Sequence, residues 1–266
     1  WIKASYSEAK VFAAGGKDRA AILLGGREVD GAYWYDDEIG GYVTSDYYSE
    51  PEWLESFDDR RLLDVRFGEV WEPLPLKPES IEELQLEKPD FGPLHRQLPI
   101  TFGPPRPAPD ESFYHALRDS PWWDRYLAQF ARFVVEAEDL GGDTYPDLLA
   151  LGFSAPDYVG HDHGPHSREY VDTLLRLDQT IGELLEYLDE RVGLENMIIG
   201  LTADHGVVPV PEVRRRQGLP GTRVSSETVS CLQNVGRQLA ERHGVESWLE
   251  PGPSLAPNLM ELTGRS

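Results

Sequence analysis

Two pairs of acidic and histidine residues stand out by residue type and spacing. Asp157 and His161 lie four residues apart, and Asp204 and His205 are adjacent. A four-residue spacing lets one helical turn or a tight loop aim a carboxylate and an imidazole at one ion, and Gly206 allows a sharp backbone turn after the second pair. Carboxylate and neutral imidazole are the ligands that Zn²⁺ takes where no thiolate is available. The pattern therefore predicts metal binding by these two pairs.

Each pair follows an apolar run with the length of a buried strand. Residues 148–152 and 197–201 are these two runs, and residues 167–191 between them have the apolar spacing of a helix that Ser167 can cap. Strand, helix and strand within about 55 residues predict a right-handed βαβ unit with parallel strands. Ligands bind beyond the carboxyl ends of such strands, so we expect both pairs at one sheet edge.

The rest of the chain supplies further elements of an α/β core. Residues 10–16 are typical of a short strand that runs into a glycine turn, and residues 32–35 and 42–44 flank an Asp/Gly-rich turn, which predicts a hairpin. Residues 122–137 have a helical stripe of aromatic and aliphatic side chains, and residues 229–243 predict a later helix. The fold class that follows is α/β, a three-layer sandwich with a mostly parallel sheet.

One long segment lacks this regularity. Residues 49–121 are rich in proline, tryptophan and acids, and their prolines disfavour regular helix or central strand. Because the aromatic side chains of this segment need burial, we expect an irregular cap that packs on the core rather than a linker. The predicted organisation is one core domain formed by residues 1–48 and 122–266, incomplete at both ends, with residues 49–121 inserted as the cap.

Composition excludes several classes of protein. The chain has 266 residues, with 25 basic and 47 acidic side chains and a formal net charge of −22. Such a chain is a poor partner for nucleic acid, because phosphate backbones need a basic footprint. No apolar run reaches the roughly 18 residues that a membrane helix needs. Cys231 is the single cysteine, which excludes an intrachain disulfide and a cysteine-based zinc cluster.

Several of these motifs together resemble a known superfamily. The stretch DYVGHDHGP from Asp157, followed by Glu169, Asp172 and RLD at 176–178, and then LTADHG at 201–206, is similar to the alkaline phosphatase superfamily. More narrowly, it resembles the type I phosphodiesterase/nucleotide pyrophosphatase branch. GKDRAAI at 16–22, GAYWY at 31–35 and YVTS at 42–45 resemble the phosphate-irrepressible alkaline phosphatases of bacteria. The resemblance covers nearly the whole chain and implies the alkaline phosphatase-like core fold.

The resemblance also implies an activity and its cofactors, namely a phosphate monoester hydrolase with two zinc ions that acts through a phosphoenzyme. Asp157 and His161 would hold one zinc together with a further histidine nearer the C-terminus. Asp204 and His205 would hold the other, with an N-terminal aspartate and the nucleophilic threonine or serine. The implied substrates are small-molecule phosphate esters, and the implied compartment is periplasmic or secreted.

Two cationic residues gain a role only through this resemblance. Lys17 and Arg19 match the pair that binds the phosphoryl oxygens, whereas their local sequence alone is that of a solvated turn. No nucleophile block precedes Lys17, and no histidine follows His243, whose surroundings differ from those of the last ligand of the family. We therefore expect the middle of a longer enzyme, with the nucleophile outside this chain and the isolated fragment inactive.

Alternative functions remain open at this point. A phosphodiesterase or nucleotide pyrophosphatase of the same superfamily is the nearest one, although the two cations Lys17 and Arg19 suit the extra charge of a monoester dianion. A sulfatase is less favoured, because its modified cysteine or serine motif is not visible. A metal-free acidic binding domain is the alternative from another class. The oligomeric state does not follow from the sequence.

Overall fold

The computed structural model describes residues 2–77, 86, 97–103, 107–223 and 226–244. In this part of the chain the strands are β1 (Val11–Gly15), β2 (Gly31–Asp36), β3 (Gly41–Val43), β4 (Val70–Trp71), β5 (Ile100–Thr101) and β6 (Leu148–Gly152). The α-helices are α1 (Ile2–Ser5), α2 (Asp18–Gly25), α3 (Glu52–Asp58), α4 (Glu111–Leu117), α5 (Pro121–Ala137), α6 (Ala155–His163), α7 (Arg168–Arg191), α8 (Pro211–Arg216) and α9 (Ser226–His243). The chain divides into two compact units, Trp1–Val213 and Arg214–Ser266.

The first unit is built on a four-stranded sheet with the order β3-β2-β1-β6. β1 pairs in parallel with β2 and with β6, and β2 and β3 form an antiparallel hairpin. The predicted strands at 10–16 and 148–152 and the predicted hairpin are confirmed. The α/β class with a mostly parallel central sheet is confirmed as well.

Both faces of this sheet are covered, which explains the apolar composition of β1. Successive side chains of a strand point to opposite faces. Phe12 and Ala14 join the large core cluster that contains the α5 side chains, while Val11 and Ala13 join a second cluster with Ala21 of α2. The sheet therefore forms the middle of three layers, and its strand ends are held rigidly from both sides.

The large core is dominated by aromatic side chains that α5 brings to the sheet. Phe130 of α5 is fully buried and stacks on Tyr42 of β3 at a ring centroid distance of 4.0 Å. Phe57 of α3 packs edge-on against Phe130 at 5.1 Å. Such aromatic pairs add about 0.5–1.5 kcal/mol beyond the area that they bury. The predicted helix at 122–137 is confirmed by α5.

The predicted cap contributes to this same core. Its described part contains α3, α4 and the small antiparallel sheet of β4 and β5. Phe57, Trp71, Phe102 and Phe113 of this segment are buried in the cluster that contains the α5 side chains. The aromatic residues are thus buried as expected, around short regular elements. The domain boundaries at 48/49 and 121/122 stay a prediction.

The prediction of a second buried strand at 197–201 is wrong. This segment is neither helix nor strand in the structure, and the side chains of Ile198 and Leu201 are almost entirely exposed. An apolar run forms a strand only where a neighbouring backbone pairs with it. Among the described residues, β6 pairs only with β1, so the predicted βαβ unit is not formed here.

The long helix between the two runs is confirmed. α7 begins after Ser167, whose hydroxyl accepts a hydrogen bond from the Tyr170 backbone N–H at 3.0 Å. This is the capping role expected of serine at a helix start. The second unit contains α9, in agreement with the helix predicted at 229–243. Within the described ranges, no helix combines the length and the apolar character that a membrane crossing requires.

Candidate functional site

The first contribution to the site comes from the loop after β1. The backbone leaves β1 at Gly15, passes Gly16 and reaches Lys17, the residue that precedes α2. The Lys17 ammonium donates a hydrogen bond to Oδ2 of Asp157 at 2.6 Å. Both side chains of this ion pair are about a quarter exposed, at 27% and 26%. A cation and a carboxylate therefore meet at the carboxyl ends of β1 and β6.

The second contribution comes from α6, which begins directly after β6. Pro156 lies in its first turn, where proline is tolerated because the missing N–H has no helical partner, and Gly164 ends it with a φ of 84°. Asp157 and His161 are one helical turn apart, and the Nε2 atom of His161 lies 3.2 Å from Oδ1 of Asp157. The helix thus aims both side chains at the same place.

Of the second pair, Asp204 and His205, only the histidine lies close to Asp157. Nε2 of His205 lies 3.9 Å from Oδ1 of Asp157 and 3.3 Å from Oδ2 of Asp204. The Asp204 side chain is 86% exposed and the His205 side chain 55% exposed. The structure therefore brings His205 beside Asp157, while Asp204 stands at the solvent side of that histidine.

One predicted site residue is not brought into this group. Arg19 lies in the first turn of α2, is exposed, and makes no hydrogen bond or ion pair with any residue that the structure describes. Among the described residues, Lys17 alone supplies an ammonium or guanidinium charge that contacts Asp157. The role of Arg19 as a phosphate ligand stays a prediction.

The electrostatics of the site centre on Asp157. Partial burial raises the pKa of Asp157, but the hydrogen bond and the charge of Lys17 lower it, and the charges of His161 and His205 lower it further. The lowering effects prevail, so the pKa of this carboxyl lies below its ordinary value. Asp157 is therefore a carboxylate at neutral pH, as a metal ligand or an anchor for a cation must be.

The donor atoms around Asp157 fit a divalent cation. Oδ1 of Asp157 is shielded from solvent and accepts no hydrogen bond from the described residues. A buried polar atom without a partner is costly unless something else satisfies it. Two imidazole nitrogens, those of His161 and His205, lie within 4 Å of this oxygen. Over the described residues no three such side chains already stand at coordination distances, so binding requires small side-chain movements.

Aromatic residues form the wall behind Lys17. The Lys17 ammonium lies 4.6 Å from the centre of the Tyr158 ring, and Trp123 of α5 packs edge-on against that ring at 5.2 Å. A Cβ atom at Gly16 would lie only 2.4 Å from Cζ2 of Trp123. Glycine is therefore required at position 16, because the backbone passes directly over the indole ring.

Sequence reasoning missed the residue that holds the start of α6. Asp124 of α5 is 2% exposed, and its Oδ1 accepts hydrogen bonds from the Ser154 and Ala155 backbone N–H groups at 2.9 and 3.1 Å. An aspartate in the first turn of a predicted helix is normally attributed to its own helix. No local signal indicated that it contacts a segment thirty residues later.

The family model for type I phosphodiesterase / nucleotide pyrophosphatase matches residues 5–219. The chain is 36% identical to alkaline phosphatase PhoV of Synechococcus elongatus over 239 residues, which is 85% of this chain and 41% of that protein. It is 33% identical to alkaline phosphatase PafA of Elizabethkingia meningoseptica over 204 residues, which is 74% of this chain and 37% of that protein.

The fold of the chain is also similar to that of an alkaline phosphatase. The crystal structure of wild-type alkaline phosphatase PafA matches with a TM-score of 0.71 and 27% identity, covering 91% of this chain and 46% of that chain. The chain spans less than half the length of these relatives.

Proposed function

Because the chain belongs to the type I phosphodiesterase / nucleotide pyrophosphatase family, we propose that the whole protein is a zinc-dependent hydrolase of small phosphate monoesters. The observation that carries the proposal is the meeting of Lys17, Asp157, His161 and His205 at the carboxyl ends of β1 and β6. Sheet edges of this kind are where α/β enzymes bind their ligands. The alkaline phosphatase relatives support the same reaction class.

Charge explains why local cations matter here. A chain with a net charge of −22 repels phosphate esters at long range, so the site must reverse the sign of the potential locally. Lys17 stands at the site already, and its ammonium is the group that would contact a phosphoryl oxygen. Arg19, two residues later in the exposed first turn of α2, is free to turn towards the same ester. Cationic donors of this type stabilise the charge on the transferred phosphoryl group.

Four residues would hold two zinc ions in this proposal. Asp157 and His161 would contribute to one ion, and Asp204 and His205 to the other. The shielded Oδ1 atom of Asp157, which faces both imidazoles, supports a cation at this position. When bound, zinc supplies positive charge for the phosphate oxygens and lowers the pKa of water at the site. The lowered pKa of Asp157 keeps this ligand deprotonated.

A phosphodiesterase or nucleotide pyrophosphatase is the second candidate. The family model carries that name, and 75 residues of the chain are 41% identical to venom phosphodiesterase 2 of Crotalus adamanteus. The two cations at positions 17 and 19 favour the monoester, because a monoester dianion carries one more negative charge than a diester. The alternative from another functional class is a non-catalytic acidic binding domain that binds no zinc.

The 266-residue chain by itself is proposed to be inactive. Each acid–histidine pair offers two ligands, whereas zinc sites normally draw on three or four protein ligands. The phosphoenzyme route further requires a nucleophile, which in this proposal lies outside the 266 residues. Zinc-dependent turnover of an aryl phosphate by the isolated chain would contradict this part of the proposal. A periplasmic or secreted compartment is proposed on the family resemblance alone.

The test compares two substrates in the full-length protein loaded with zinc. We expect kcat/KM for 4-nitrophenyl phosphate to exceed that for bis(4-nitrophenyl) phosphate, and Lys17→Met to lower the monoester value at least about tenfold more than the diester value. Lys3→Met is the matched control, because the Lys3–Asp30 ion pair has a similar exposure and lies at the opposite end of β1.

The outcomes separate the three functions. A preference for the diester, with equal effects of Lys17→Met on both substrates, would favour the phosphodiesterase. Absence of zinc binding together with absence of turnover would favour the acidic binding domain. A Lys3→Met variant as damaged as Lys17→Met would show that the loss reflects stability and not phosphate binding.

A further inference from the structure

The start of α6 is not capped by its own residues. The first backbone N–H groups of a helix have no helical partner and need an acceptor. Ser154 occupies the capping position, but its side chain accepts none of these hydrogen bonds, and its hydroxyl donates to the Gly152 carbonyl at 3.3 Å instead. The Ser154 and Ala155 N–H groups both donate to Oδ1 of Asp124, at 2.9 and 3.1 Å. A carboxylate from another helix therefore holds this helix start.

Asp124 is an unusual residue for that position in the core. It is 2% exposed, and its second oxygen, Oδ2, is buried and accepts no hydrogen bond from the described residues. Burial raises the pKa of Asp124 to about 7, although the two backbone hydrogen bonds lower it. A half-satisfied buried carboxyl destabilises a core compared with an apolar side chain of similar size. Its presence indicates a purpose other than stability.

The neighbouring residue acts on the other half of the site. Trp123 lies under Gly16, which leads directly into Lys17, and packs against Tyr158 of α6. Two consecutive residues of α5 thus contact both segments that meet at the site. Trp123 fixes the approach of the loop after β1, and Asp124 fixes the origin of α6.

We propose that Asp124 is a positioning residue that sets the start of α6 and thereby the direction of the Asp157 and His161 side chains towards their ligand. Asp157 lies two residues beyond Ala155, so a change in the first turn moves its carboxylate directly. His161 follows one turn later and moves with the helix. The proposal rests on the proposed function where it concerns zinc, and on the hydrogen bonds of Asp124 alone where it concerns the order of α6.

Zinc titration calorimetry on the full-length protein, in wild-type and variant form, tests the first part. Asp124→Asn keeps an oxygen acceptor at Oδ1, so we expect its zinc affinity within about twofold of wild type. Asp124→Leu fills the space without an acceptor, and we expect about 10- to 100-fold weaker binding, which is the usual effect of losing a group that orients a metal ligand. Asp58→Ala is the control. Asp58 is a partly buried carboxylate that accepts a hydrogen bond from the Tyr42 N–H at 3.0 Å, and this hydrogen bond involves no residue of α6.

Amide hydrogen exchange tests the second part without zinc. We expect faster exchange across α6 in Asp124→Leu, unchanged exchange in the middle of α7, and near-normal exchange in Asp124→Asn. If Asp124→Leu does not fold, NMR of the wild-type amide protons of Ser154 and Ala155 tests the contact with Asp124 instead. Their chemical shifts should titrate with an apparent pKa near 7 and should not do so in Asp124→Asn.

The two arms separate the two hypotheses. Wild-type protein that binds no zinc, with α6 still loosened by Asp124→Leu, would refute the zinc site and retain the positioning role. Zinc affinity of Asp124→Leu equal to wild type, with unchanged exchange in α6, would overturn the inference. Equal losses in Asp58→Ala and Asp124→Leu would overturn it too, because they would reflect general stability. Ser154 and Ala155 amide protons that do not titrate would contradict the contact itself.

Discussion

β6 with α6 and the segment at 197–206 look alike in the sequence and differ in the structure. Each is an apolar run followed by an aspartate and a histidine. The first run pairs with β1 over five residues and leads into a helix that Asp124 holds at its start. The second run has exposed apolar side chains, and its aspartate is 86% exposed. The same residue pattern becomes a fixed site only where a neighbouring strand and a buried acceptor hold it.

The comparison also separates two kinds of ligand. Asp157 is held by Lys17 and by the helix that carries it, so its position is set before any cation binds. His205 lies 3.9 Å from the same carboxylate, on a segment that pairs with no strand among the described residues. Preorganised ligands lose little conformational entropy on binding, whereas ligands on a loose segment must be ordered first.

Phe130 and Ile198 should differ strongly in what they contribute to stability. Phe130→Ala removes a fully buried ring from the aromatic core and should lower the free energy of unfolding by about 3–5 kcal/mol. Ile198→Ala should change it by less than about 0.5 kcal/mol, because the side chain is fully exposed. Urea denaturation of both variants measures the difference. If Ile198→Ala lowered the free energy of unfolding by about 2 kcal/mol or more, residues 197–201 would be buried, as the sequence predicted.

The second effect is a pH dependence that arises from Asp124. Burial raises the pKa of Asp124 to about 7 in the folded chain, against about 4 in an unfolded one. Between these values the folded state holds a proton that the unfolded state has lost, so stability falls as the pH rises from about 4 to about 7 and then levels off. The contribution is at most a few kcal/mol.

Asp124→Asn should remove that slope. Denaturation at about pH 5 and about pH 8 measures it in the variant and in wild type, and the difference between the two slopes isolates this group from other titrating residues. Identical slopes would mean that the Asp124 carboxyl does not hold a proton in the folded chain.

The third effect concerns zinc affinity and compares the two aspartates. Asp157→Ala should weaken zinc binding at least about 100-fold, or about 2.7 kcal/mol, since both imidazoles approach its Oδ1. Asp204→Ala should weaken binding of this same ion, the one held by Asp157 and His161, less than about tenfold, because Asp204 would hold the other ion and its side chain is largely in solvent. Calorimetry with ZnCl₂ measures both affinities. Equal losses of zinc affinity in the two variants would mean that Asp157 and Asp204 contribute equally, and would contradict the difference between the preorganised and the exposed ligand.

The smallest effect contrasts two glycines. Gly16→Ala places a Cβ atom 2.4 Å from the Trp123 ring and should cost about 1–3 kcal/mol, a typical cost of overpacking. Gly200→Ala meets no described atom within 4 Å and should be close to neutral. Thermal unfolding of the two variants distinguishes them. A neutral Gly16→Ala would mean that the loop before Lys17 does not rest on Trp123.

The sequence predicted those elements whose signal is local. The hairpin at β2 and β3, the serine cap of α7 and the amphipathic stripe of α5 depend on neighbours within a few residues, and all three are confirmed. The strand at 197–201 failed because pairing requires a partner that periodicity does not report. Asp124 was missed for a similar reason, since its acceptor role depends on a contact across thirty residues.

The sequence predicted which residues form the candidate site better than it predicted how their side chains are arranged. Motif spacing and family resemblance named Lys17, Asp157, His161 and His205, which the structure brings together. The local sequence around Arg19 is that of a solvated turn and agrees with its exposure, whereas the family resemblance assigned it to the phosphate together with Lys17. A side chain in the first turn of a short helix takes its direction from the loop before it, and that loop is shaped by Trp123 under Gly16.

We propose that the carboxyl ends of β1 and β6 hold a divalent cation against Asp157. Anomalous diffraction at the zinc absorption edge, from crystals of the full-length protein grown with ZnCl₂, locates that cation. We predict a peak about 2.0–2.2 Å from a carboxylate oxygen of Asp157 and from Nε2 of His161. A fully occupied zinc elsewhere on the chain, with none at Asp157, would contradict the claim.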